Sequence, residues 1–168
     1  MTSPSPEPYL SEQTLIGSER AQLLAFVHDN RTEVAALLDG LTEEQARARL
    51  VPSATTLLGI VKHCAFVEKV WFHVSLAGRS RAEVGIPEAA EDSWELDDAD
   101  TIESVRAAYL AAWAEAEVIA ARYDLDDLAT HNRRGPLTLR WIYVHMVEEL
   151  ARHAGHGDIL REQVLAAG

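Results

Sequence analysis

Between residues 145 and 156 the chain spaces three imidazoles, a carboxylate and a guanidinium at helical intervals: His145, Glu149, Arg152, His153 and His156. On a helix turning about 100° per residue, with His145 at zero, Glu149 falls at about 40°, His153 at about 80°, His156 at about 20° and Arg152 at about −20°. Ile142 and Leu160 fall near roughly 60° and Met146 at about 100°. The polar strip therefore shares its face with residues expected on the buried side. Burying that many ionisable groups is costly unless they are paired or hold a metal.

Two side chains one turn apart can share an ion. One straight helix seldom supplies three ligands, so a third would come from a facing helix. His63, set among Ile60, Val61 and Val67, is the best-placed histidine elsewhere. The metal reading is thus His63, Glu149 and His153, with water in the open positions. The competing reading is a buried hydrogen-bond network in which Arg152 pairs with Glu148 or Glu149, and spacing alone does not choose between them. HExxH does not occur, which removes the zincin motif. Around the core set, His145 either orients Glu149 from one turn away or is a core histidine. Arg152 either binds a substrate carboxylate or pairs with Glu148. Trp71, Phe72, Trp113 and Trp141 read as core or pocket wall, His73 as pocket edge or exposed, His28 and His131 as surface, and Cys64 as a small core residue.

The elements that must position these groups are helical. Leu23, Leu24, Val27, Val34, Leu37, Leu38 and Leu41 keep to one face over 18–41, which predicts an amphipathic helix ending near Gly40. Thr42 followed by two glutamates opens a short helical piece that Pro52 interrupts. A second long helix starts at Thr55 or Thr56 and stops at Gly78, carrying Leu57, Ile60, Val61, Cys64, Val67, Val70 and Trp71 inward with His63 at the band's edge. Residues 79–100 break periodicity and read as a long acidic connection with Trp94 folded back onto the body. A third helix spans about residues 101–123, and the stretch from Asp124 to Thr138 reads as loop, with no strand-like alternation. The last helix follows. The fold class predicted is all-α, a four-helix bundle with a long crossover loop. Residues 1–13, rich in Pro, Ser and Glu, read as a flexible tail tied down late by Tyr9 and Leu10, and 14–168 as a single domain.

The 168 residues, 48% hydrophobic and 25% charged, suit a globular protein with a sizeable core. A formal charge of −12 with no basic stripe argues against nucleic acid and against an anionic membrane surface. The one cysteine gives no internal disulfide. No run is apolar enough for a membrane span and no signal peptide is recognisable, so the expected location is the cytoplasm. The expected partner is a small-molecule substrate, with homodimer formation left open.

The segments TLLGIVKHCAFVEKVWF (56–72) and LRWIYVHMVEELARHAGHGDILRE (139–162) resemble the DinB/YfiT-like superfamily of metalloenzymes, closest to its actinobacterial mini-circle-protein branch. The resemblance covers the chain after the tail. It implies a four-helix bundle whose divalent metal is held by one histidine of the second helix, matching His63, and two ligands of the last. Of these, the histidine followed by one residue and then glycine matches His153. The ligand four residues earlier is histidine in many members and is Glu149 here, which is similar to the metal-binding domain of mycothiol-dependent maleylpyruvate isomerase. His156 stands where many relatives carry glutamine, so it is a supporting residue or an alternative ligand. The resemblance further implies a metal-dependent S-transferase or isomerase that joins a low-molecular-weight thiol of the mycothiol, bacillithiol or glutathione kind to a small electrophile. The alternative is a metal- or small-ligand-binding protein of the same fold without turnover. Zinc is the foremost metal, and nickel, iron or manganese suit the same donors.

Overall fold

The computed structural model describes residues 8–167 and is mainly helical. In chain order it has a 3-10 turn Ser11–Gln13, α1 Glu19–Ala36, α2 Glu43–Ala46, α3 Leu57–Glu68 and a π-helical continuation Lys69–Leu76. There follow α4 Arg81–Val84, a 3-10 turn Glu91–Trp94, α5 Ile102–Ala120, the strands β1 Leu128–Ala129 and β2 Leu137–Thr138, and α6 Leu139–Ala167. The helix starts follow from their caps. Ser18 accepts from the Ala21 amide and Thr56 from the Gly59 amide, while Thr42, Ser80 and Thr101 each form a reciprocal capping box. Among the described residues no helix is long and apolar enough to cross a membrane.

Three details depart from the sequence-based expectation. The first helix ends at Ala36, and the residues up to Gly40 form turns instead of a last helical turn. The 79–100 connection contains α4 and a 3-10 turn. A strand pair also appears where none was expected: β1 and β2 are antiparallel, with Leu128 opposite Thr138 and Ala129 opposite Leu137. Two residues per strand are too few for alternation to register in a sequence pattern. Of the expected tail, residues 1–7 lie outside the described residues. The remainder is bonded to α1: the Leu10 and Ser11 amides donate to Asp29, and the Tyr9 hydroxyl donates to Glu33 at 2.5 Å.

The long helices pack in two pairs, α3 along α5 and α1 along α6, with α3 also touching α1 and α6. Eleven of the twelve residues of α3 are buried, Lys62 alone being half-buried. Such a helix must find partners for every polar group it carries. At its C-terminal end Glu68, fully buried, accepts two hydrogen bonds of 2.7 Å from Arg31 of α1, itself 2% exposed. Burial pushes the Glu68 carboxyl upwards and the Arg31 charge opposes it. The guanidinium also sits over the rings of Phe72 and Trp113, at 5.7 and 5.6 Å. An apolar pair of the same shape could serve stability as well, but removing one partner strands the other charge. Glu68→Ala should therefore cost about 3–5 kcal/mol of unfolding free energy, measured by urea denaturation. A loss below about 1 kcal/mol, the size of an exposed ion pair, would show that Arg31 is not held as described.

Candidate metal centre

The other buried imidazole or carboxylate side chain of α3 is His63, 7% exposed. It meets Glu149 and His153 of α6. One candidate ligand atom from each of His63, Glu149 and His153 lies within 4.8 Å of the others. Glu149 Oε1 is 3.2 Å from His153 Nε2 and 3.8 Å from His63 Nε2, and the two imidazole rings are 5.0 Å apart.

The second nitrogen of His63 has its own partner. Nδ1 lies 2.7 Å from Ser93 Oγ, and the Ser93 hydroxyl spends its one proton on the Ala90 carbonyl at 2.5 Å. Ser93 Oγ is therefore the acceptor and Nδ1–H the donor, which leaves Nε2 with its lone pair directed at Glu149. Burial lowers the His63 pKa and so favours the neutral ring, while the hydrogen bond from His153 holds the Glu149 carboxyl well below the usual carboxylate range. A lone pair facing a carboxylate at 3.8 Å, beyond hydrogen-bond length, is a repulsive arrangement that a cation between them would relieve. Two neutral imidazoles and one carboxylate are a donor set that divalent transition ions accept. His153 Nδ1 is buried and unpartnered among the described residues, a further donor atom that protein contacts do not satisfy.

Two structural devices bring these groups to one place. The 79–100 connection folds over His63, with the Trp94 ring stacked on the imidazole at 4.0 Å. Gly59, one turn before His63, leaves room chiefly for the capping Thr56 hydroxyl: a Cβ there would lie 3.0 Å from Thr56 Oγ1, and the Trp94 carbonyl packs beside the same position. The π-helical stretch is the second device. A π residue advances the chain by a smaller angle than the about 100° of an α residue. An unbroken α-helix would put Trp71 about 80° round from His63. The wider spacing brings Trp71 back to the His63 side, where it lines the same cleft.

That cleft encloses about 530 Å³ and has His63 and Glu149 in its wall, together with Trp71 and residues of the β1–β2 loop. Three larger clefts, of about 660, 720 and 690 Å³, are lined by none of the three candidate ligands.

The predicted strip divides. The buried residues of α6, among them Tyr143, Met146, Leu150, His153 and Ala154, centre near about 110° on the wheel that has His145 at zero. His153 is thus central and buried, Glu149 is at the margin, and Arg152 and His156 face solvent. Arg152 bonds to Glu148 and lies 3.4 Å from Glu149. The His156 ring is 6.0 Å from that of His153 and outside the cluster. His145, half-buried, packs between Trp71 and Trp141, with ring centres at 4.7 and 5.0 Å. Among the described residues the one carboxylate within ion-pair distance of it is Glu148 at 3.7 Å, so it does not bond Glu149.

The π-helical stretch also moves His73. It is 2% exposed and lies with Arg79 and Glu115, away from the cleft and not at its edge. His28 is half-buried against Trp113, at 5.1 Å, rather than on the surface. Sequence reasoning missed Ser93, which carries no periodicity signal, and Arg31, which resembles any polar residue of an amphipathic helix.

A family model described as mycothiol-S-transferase matches residues 22–166. No curated protein matches the chain. Because Ser93 fixes the His63 tautomer, Ser93→Ala should weaken divalent-metal affinity by about 10–100-fold, the usual effect of removing such a support, with folding unchanged. Chelator competition reads the affinity, and parent-like binding would show that Ser93 does not orient His63.

Proposed function

The chain belongs to the mycothiol-S-transferase family, and on that premise we propose that it is a divalent-metal-dependent S-transferase. In this reading the long helices form a four-helix bundle around a centre held by His63, Glu149 and His153. The cosubstrate is a low-molecular-weight thiol of the mycothiol type and the second substrate a small electrophile. The observation that carries the reading is the convergence of three ligand atoms, from helices far apart in sequence, within 4.8 Å, with His63 and Glu149 in the wall of a cleft.

When bound, a divalent ion there would supply Lewis acidity, lowering the pKa of a thiol in an open position so that the thiolate is present near neutral pH. The residues of the chain do the rest. His63 and His153 contribute neutral nitrogens and Glu149 one negative charge, so the centre keeps net positive charge to favour a thiolate. Ser93 Oγ holds the His63 proton at Nδ1. Trp94 lies over the imidazole and limits water on that side. Trp71 offers an apolar wall for the electrophile. The transferred sulfur forms a bond to an electrophilic carbon, the leaving group departs with its electron pair, and the thiol proton passes to solvent. Cys64 does not compete as a nucleophile: it is fully buried and its thiol pKa is pushed far up by burial. Zinc is the first candidate metal on this donor set, with nickel, iron and manganese accepting the same ligands. The reading places the protein in the cytoplasm, with no nucleic-acid or membrane partner and with a homodimer as an assembly it allows.

Elemental analysis on untagged protein, paired with mycothiol consumption in the presence of an alkyl halide, tests the proposal. The parent should carry near-stoichiometric metal and turn over. His63→Ala and His153→Ala should each lose the metal and fall to the uncatalysed rate while keeping their helical circular dichroism. Turnover that survives in metal-free variants would refute the metal-dependent mechanism, and stoichiometric metal without turnover would reduce the protein to a metal binder.

A further inference from the structure

The cleft beside the candidate centre is lined by three arginines, Arg81, Arg133 and Arg134, in a chain of formal charge −12. Most basic side chains of this protein are committed elsewhere. Arg31, Lys62, Arg106, Arg140 and Arg152 are paired with carboxylates, and Arg20, Arg47 and Arg161 donate to backbone carbonyls. Arg133 and Arg134 differ. Both line the cleft, and among the described residues neither has a carboxylate within ion-pair distance. The Arg134 guanidinium lies over the Trp71 ring at 5.4 Å. Arg81 reaches the same cleft from α4, fixed by donating to the Pro87 carbonyl at 2.7 Å and by lying 5.3 Å from the Phe66 ring.

The loop that carries Arg133 and Arg134 is seated by contact. Its His131 ring rests against the end of the long α3–π run at Gly78, where a Cβ would lie 2.8 Å from Nε2. Gly78 has φ +74, so both its backbone and its missing side chain suit this contact. With the β1–β2 pairing closing the loop's base, the two guanidiniums are held at the mouth of the cleft that also exposes His63 and Glu149.

We infer that Arg133 and Arg134 recognise a carboxylate on the electrophilic substrate. This rests on the S-transferase reading for the identity of the substrate, and names the class of electrophile that the site takes. Trp71 lies under the Arg134 guanidinium and shares the cleft with His63 and Glu149, so a flat apolar group on its ring would link the anion to the reacting carbon. Glu88 and Glu91 come to the cleft from the other loop; they disfavour a second anion there and set which way round the substrate lies. Arg152, for which the sequence left open an anion-binding role, is occupied by Glu148 and Glu149.

Benzoate and benzamide, an anionic and a neutral probe of the same shape, separate this inference from the metal. Each is titrated by calorimetry into the full chain, the Arg133→Ala/Arg134→Ala double variant and His153→Ala. Both arginines are exposed, so the double variant should fold as the parent does. The parent should bind benzoate about tenfold more tightly than benzamide, the scale of one charge-assisted contact. That preference should shrink to less than about twofold in the double variant and survive in His153→Ala. Equal affinity for the two probes in the parent, or a preference unchanged in the double variant, overturns the inference. So does a preference lost only in His153→Ala, which would mean that the carboxylate binds at the metal centre instead. Failure of the S-transferase reading shows differently: no turnover in the parent, with the benzoate preference and its loss in the double variant intact.

Discussion

α3 is buried along its whole length except at Lys62, and the rest of the molecule is arranged to answer that. A helix so buried can be built almost wholly of apolar residues, yet this one carries His63 and Glu68. Each needs a partner brought from elsewhere in the chain, because an unpaired buried polar group costs more than most single contacts return. Glu68 draws Arg31 inwards and thereby fixes α1. His63 draws Ser93 and Trp94, and so fixes the long connection over α3, while on its other side it faces Glu149 and His153 and so sets the position of α6. The two polar groups differ in what remains afterwards. The Arg31–Glu68 pair is closed, with both Glu68 oxygens bonded. The His63 cluster is left with a lone pair facing a carboxylate and with an unsatisfied His153 nitrogen. The closed pair is structure; the open cluster is where chemistry can enter.

The change from α to π spacing after Glu68 belongs to the same economy. It lets one continuous helical run present His63 and Trp71 to a single cleft while sending His73 towards α5. π-helical insertions are frequent at functional sites for this reason: they re-aim side chains without breaking the helix.

Much of this was legible in the sequence. The four long helices follow from apolar periodicity, and the start of the second from a cap at Thr55 or Thr56, of which the structure uses Thr56, since caps and faces are local properties. His63, Glu149 and His153 were singled out from spacing and resemblance, and the structure brings their ligand atoms together. What that cluster holds is the part proposed. The reading failed where register or tertiary contact decides. An ideal wheel extended past Glu68 misplaces His73 because nothing in the composition announces a π stretch. Arg152 and His156 were grouped with Glu149 because a strip some 100° wide straddles the boundary of burial, which only packing fixes. Ser93 and the Arg133–Arg134 loop lie in aperiodic segments, and their proximity to the cleft depends on long-range closure that no local pattern encodes.

The central claim is that His63, Glu149 and His153 share one divalent ion. Anomalous diffraction from crystals of the full chain, recorded on either side of the absorption edge of the bound metal, tests it most directly. The account predicts a single peak about 2.0–2.2 Å from one nitrogen of each histidine and from a Glu149 oxygen, the distances of a His–His–carboxylate site. A metal-free cluster in crystals grown with zinc, nickel, iron or manganese, or a peak bound to His156 in place of His63, would contradict it.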